Sequence, residues 1–164
     1  MCLGRVGLLT VSLAGLGRMA AAQAPDDYAA PELTVEGPVE YRAITVPAAS
    51  QPGWLETFVY VRATSAEGAK LRYGGCPFTV QIFETPMRTG RPRWDDRDVP
   101  NAICTTELTI ARLGQGQEDT LRTFLPPAEV LRDSLAPGRY YVGALVRANG
   151  DTRVLDAGVV DLRP

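Results

Sequence analysis

At 164 residues the chain is the size of one ordinary domain. Its apolar content of 45% is that of a globular protein. With 17 basic against 19 acidic residues, it lacks the positive excess of a protein held to nucleic acid by phosphate contacts. The absence of histidine removes Ser-His-Asp and Cys-His catalysis and histidine-ligated metals.

The N-terminus reads as a secretory signal over residues 1–24. Arg5 supplies positive charge, and residues 6–17 form an apolar run. At about 12 residues that run suits a signal and is too short to cross a bilayer. The small residues Ala20, Ala21, Ala22 and Ala24 follow, allowing cleavage after Ala22 or after Ala24. The sequence therefore predicts export to the periplasm or the extracellular space. Removing residues 1–24 takes away Arg5 and Arg18 and no acid, so the net charge moves from −2 to −4. Residues 25–32, beginning PDDYAAP, read as a flexible lead-in to one domain over 33–164. No later stretch is long and apolar enough for a membrane span.

With Cys2 inside the signal, Cys76 and Cys104 remain. Two cysteines in an exported domain predict one disulfide. Its loop of about 29 residues is worth roughly 3–4 kcal/mol in the chain-entropy model. A metal pair is disfavoured, because neither histidine nor a second cysteine pair is present.

From residue 33 onward, short apolar runs are cut by Gly and Pro, the pattern of an all-β domain. Residues 33–49 read as N-terminal strand material. Residues 57–63 alternate, with Thr57, Val59, Val61 and Ala63 on one face and Phe58, Tyr60 and Arg62 on the other. The second set is a candidate partner-binding stripe, but it is expected to lie under segment 33–49. Residues 77–84 form a strand with Phe78, Val80 and Ile82 inward. Residues 103–112 follow with Cys104, Thr106, Leu108 and Ile110 inward, and residues 119–125 with Leu121, Thr123 and Leu125. Residues 126–134 (PPAEVLRDS) are the one helical candidate, with proline near the start and Arg132 late. Asn149-Gly150 is a strong hairpin signal. It pairs Ala144 with Leu155, Val142 with Ala157 and Tyr140 with Val159. A bulge at Gly158 would return Val160 and Leu162 to the core.

These elements predict an antiparallel β-sandwich of about 7–9 strands with one short helix before the penultimate strand; a barrel is the runner-up. The run Leu135-Ala136-Pro137-Gly138-Arg139-Tyr140 resembles the tyrosine corner of immunoglobulin-like sandwiches. With the alternating strand 55–63, a strand ending near Trp94 and the polar strand 117–125, the order of features resembles the BsuPI-type intracellular proteinase inhibitor domains of bacteria, over about Leu55 to Val146. The resemblance implies an immunoglobulin-like sandwich, and an inhibitor activity. This chain adds a predicted signal, the Cys76/Cys104 pair, the short helix and segment 33–49.

The candidate binding loop is residues 85–92 (TPMRTGRP) with Trp94 beyond it. An inhibitor could offer Arg88 or Arg91 from this loop to a trypsin-like pocket, with Met87 beside them. The same residues also read as an ordinary strand connection. Trp94-Asp95-Asp96-Arg97-Asp98 brings three carboxylates together, yet it lacks the turn glycine and closing glutamate of a calcium loop, so it reads as a solvated turn. Asp96 and Asp98 could share a strand face as a glycosidase pair, but nothing marks a sugar groove. Ser12, Ser50, Ser65 and Ser134 have no neighbouring base. The expectation is thus a non-catalytic binding module without cofactor or metal. Its partner would be a protein, either a protease or an envelope protein, and a structural subunit of a surface assembly is the further alternative.

Overall fold

A computed structural model describes residues 33–98 and 108–163. The predicted signal, the lead-in and Cys104 lie outside the described residues. The described chain runs β1 (Thr34–Glu36), β2 (Val39–Pro47), β3 (Leu55–Ala63), β4 (Ala69–Tyr73), β5 (Thr79–Phe83), β6 (Trp94–Asp95), a 3-10 turn (Asp96–Asp98), β7 (Thr109–Leu113), β8 (Glu118–Leu125), α1 (Ala128–Arg132), β9 (Gly138–Ala148) and β10 (Asp151–Leu162). The architecture is an all-β sandwich. The strands form three antiparallel sheets with orders β10-β9-β5-β6, β2-β3-β8 and β1-β4-β7. The described strands number ten rather than 7–9. The short β1 and β6 and the unanticipated β4 make up the surplus.

Every sheet gives one face to a shared core. Val59 and Val61 of β3, Leu121 and Leu125 of β8, Val80 and Ile82 of β5, Val142, Ala144 and Val146 of β9, and Leu71 of β4 are all buried there. The alternation of apolar and polar residues decides which face turns inward. In β3 it is Thr57, Val59, Val61 and Ala63, all nearly inaccessible. Helix α1 adds Leu131 to the core, and Leu135 follows just after it.

The closing hairpin turns at Asn149 (φ 52) and Gly150 (φ 81), both left-handed as a type I′ turn requires. Leu155 pairs with Ala144, but a bulge falls between Asp156 and Gly158. The bulge shifts the register one pair earlier than the sequence suggested. Val142 therefore pairs with Gly158 rather than Ala157, and Tyr140 with Val160 rather than Val159. Ala157, Val160 and Leu162 are all buried, and Val159 turns outward. The extra residue flips the side-chain parity of the strand end.

Three expectations are corrected. In β7 the parity is inverted, with Ile110 54% and Leu108 55% exposed while Ala111 and Leu113 pack on the core. The cause is β4, whose buried Leu71 pairs with Ala111 and so turns Ile110 outward. Segment 33–49 does not cover Phe58 and Tyr60. β2 pairs with β3 edge to edge, Ile44 beside Phe58 and Arg42 beside Tyr60, and so lies in the same sheet instead of across it. Both faces of β5 are buried, not only that of Phe78, Val80 and Ile82, because Thr79, Gln81 and Phe83 are covered as well.

Candidate functional site

The loop 84–93 joins β5 to β6 and folds back onto β9 and β10. Its centre is Arg88. The Nε of Arg88 donates to the Val142 carbonyl at 2.9 Å, and Nη2 donates to the Gly158 carbonyl at 3.2 Å and to the Asp156 carboxylate. Nη1 donates to the Pro86 carbonyl at 2.6 Å, and the guanidinium lies 5.7 Å from the centre of the Tyr141 ring. The bulge explains the position. An extra residue disturbs the ladder between β9 and β10, and carbonyls it frees need donors. Arg88 supplies them with a planar fork of N–H groups.

Gly143 makes room for this arrangement. A Cβ there would sit 2.7 Å from Val154 Cγ1, 3.0 Å from Phe83 Cε2 and 3.6 Å from Arg88 Cδ. Arg88 also holds a left-handed backbone, φ 50, which costs a non-glycine residue energy and persists only where the surroundings enforce it. A backbone hydrogen bond from Arg88 to Thr85 closes the turn, and Arg93 N–H bonds the Ile82 carbonyl at the loop's far end. Arg93 also pairs with Glu84 at 2.9 Å.

The sequence reading of Arg88 is therefore overturned. Its side chain is only 9% exposed and fixed in place, so it cannot enter a protease pocket. Met87 stands at the apex instead, 78% exposed. Arg91 is exposed and makes no hydrogen bond or ion pair among the described residues. Trp94 is half-buried and packs on the core edge. Below the loop, Glu84, Arg91, Pro92, Arg93, Asp95 and Arg97 line a cleft of about 700 Å³.

The first two carboxylates after Trp94 are not those of a solvated turn. Asp95 is 5% exposed and accepts hydrogen bonds from Gln81 Nε2 at 2.6 Å and from Arg97 Nε at 2.8 Å. Burial works to raise its carboxyl, but the bonds from Arg97 and Gln81 outweigh it and hold the group below the usual carboxylate range. Asp96 points the other way. Its Oδ2 accepts the Val80 N–H at 2.7 Å, completing the β5 edge where β6 ends, while Oδ1 is buried without a partner among the described residues. Burial pushes its carboxyl up to about 7. Among the described residues, no group of three or more Asp, Glu, Cys or His could hold a metal.

At the corner before β9, Tyr140 is 7% exposed, and its hydroxyl donates to the Ala136 carbonyl at 2.9 Å. Pro137 is exposed, and Gly138 lies against the ring. Cys76 lies in the connection between β4 and β5, half-buried. Nothing in the sequence marks the Arg88 anchor, since Val142, Asp156 and Gly158, which seat it on the sheet, lie more than fifty residues away. No family model matches the chain, and no curated protein matches it.

Proposed function

We propose that the protein is an exported, non-catalytic binding module that engages a partner protein through the apex of loop 84–93. One observation carries this reading: the Arg88 guanidinium ties the loop to Val142, Asp156 and Gly158. Holding a loop in its bound shape lowers the ordering cost of association. The loop so held displays a large flexible thioether at Met87 and a cation at Arg91, without using either to fix its own shape. Methionine adapts to irregular partner surfaces, and arginine is enriched where interfaces are tight.

Other features support the wider reading. The strand orders β10-β9-β5-β6 and β2-β3-β8, with the Tyr140 corner, fit an immunoglobulin-like sandwich. The charged, apolar and small-residue segments of 1–24 support export. A bridge from Cys76 to Cys104 belongs to the same reading, and Cys76 is not a free thiol. An intact mass that rises by two hydrogen atoms on reduction is the expected result.

The test is differential capture. The immobilised protein retains a specific envelope protein, and the Met87→Glu, Arg91→Glu double variant loses it. Arg88→Ala weakens capture by releasing the loop, and its melting temperature falls as well. Capture unaffected by the double variant overturns the reading. Proteinase inhibition is the second reading, favoured by the same anchored loop with Met87 rather than Arg88 at the apex. Titration against a panel of serine proteases decides it, and no inhibition at micromolar protein removes it.

A further inference from the structure

The outer face of the sheet β1-β4-β7 carries a charge pattern that its packing does not require. Two rows cross it, Thr34–Arg72–Ile110 and Glu36–Lys70–Arg112. The inner faces of the same strands hold Val35 and Leu71, so burial there accounts for the sheet. On the outside, Lys70 stands directly opposite Arg112, a like-charge pairing that works against the sheet. Glu36 is the one carboxylate in the two rows, and it pairs with Lys70 at 3.1 Å. Arg72 and Arg112 make no ion pair or hydrogen bond among the described residues. Ile110 and Leu108 stand beside them, each more than half exposed. The face thus has an excess of two positive charges in a chain whose net charge is −2.

We propose that this face docks an acidic segment of a partner protein, with carboxylates flanking an aliphatic side chain. Arg72 and Arg112 each offer a fork of N–H donors that matches a carboxylate in two bonds. Ile110 lies across from Arg72 and two residues before Arg112, so the aliphatic side chain is next to both cations, one across the sheet and one along β7. An extended segment places every second side chain on one face about 6.8 Å apart, the spacing of Ile110 and Arg112 along β7. An anionic bilayer fits less well. Two exposed aliphatic side chains and two net charges are fewer than stable attachment to a leaflet uses.

The probe is a labelled nine-residue peptide with Asp and Leu alternating and Ser between them, and its control has Asn for Asp. Anisotropy titrations with the full chain are expected to show binding of the Asp peptide only. Affinity should fall about tenfold or more in Arg72→Glu and in Arg112→Glu, by about threefold in Ile110→Ser, and steeply with salt. Arg72→Gln and Arg112→Gln give intermediate losses, and thermal melts confirm that each variant folds. Met87→Glu leaves the peptide affinity unchanged, so failure here and failure of the loop reading are separate results. The proposal is overturned if neither peptide binds, if both bind equally, or if the arginine variants bind as the wild type does. Arginine-dependent sedimentation with phosphatidylglycerol vesicles, without peptide binding, overturns it in favour of a membrane.

Discussion

Tyr140 and Tyr141 are adjacent in sequence and sit in different surroundings. Tyr140 fills the core edge and spends its hydroxyl on the Ala136 carbonyl, whereas Tyr141 is half-buried beneath the Arg88 guanidinium. Tyr140→Ala is expected to cost about 3–5 kcal/mol, as for other buried aromatics. Tyr140→Phe keeps the ring and should cost about 1–2 kcal/mol through the abandoned carbonyl. Tyr141→Ala should cost about 1–2 kcal/mol, because it removes contact area and the arginine's ring partner but no hydrogen bond. Urea melts of the three variants check the order; equal losses at 140 and 141 would contradict the burial just described. The inward parity of Tyr140 is legible in the alternation with Val142, Ala144 and Val146. Arg88 was not legible, because an exposed-looking Gly/Pro-rich loop carries no mark of the bulge beneath it.

Among elements, the β9–β10 hairpin shows why alternation succeeds in one strand and fails in another. Asn149-Gly150 fixes the turn, and an apolar run on each side leaves one register that buries both, apart from the bulge. β7 has no such constraint within itself. Its outward Ile110, like Leu108 just before the strand, is as apolar as a core residue, and only pairing with β4 decides the parity. Sequence periodicity reports a period, not which face is covered, and here the covered face depends on Leu71 nearly forty residues earlier. The hairpin also yields a contrast between two glycines. Gly143→Ala places a methyl 2.7 Å from Val154 and 3.0 Å from Phe83, and should cost about 1–3 kcal/mol by overpacking. Gly158→Ala meets nothing within 4 Å, so only its φ of +106 opposes it, at about 1–2 kcal/mol. The two variants differ in the loop. Limited proteolysis at 84–93 should accelerate in Gly143→Ala, where Arg88 is displaced from its seat, more than in Gly158→Ala. Equal cleavage rates would show that the arginine does not depend on the close approach at Gly143.

The whole sandwich is tied to pH through two adjacent carboxylates shifted in opposite directions. Asp95 is held below its ordinary range by Arg97 and Gln81. Its contribution is present above about pH 4 and is lost as pH falls further. Asp96 titrates near 7 when folded against 3.8 in the open chain, because it is buried beside Asp95, with Val80 N–H and Arg97 only partly offsetting the cost. The folded state then binds more protons than the unfolded one between those values, so the stability that Asp96 contributes declines as pH rises from about 4 to 7. Above 7 both states are ionised and the decline stops. Asp96→Asn keeps an acceptor for the Val80 N–H and carries no charge to desolvate. Relative to this variant, the wild type should lose roughly 2–4 kcal/mol between pH 4 and pH 8, with most of the change complete by pH 7. The corresponding experiment is a set of urea melts of both proteins at half-unit pH steps. Parallel stability curves would mean that Asp96 is solvated in solution. A gap that opens only below pH 4 would mean that folding lowers the Asp96 carboxyl instead of raising it. Because Asp96 bonds the edge of the central strand β5, the loss reaches the cooperative unfolding of the sandwich and does not stay confined to the turn.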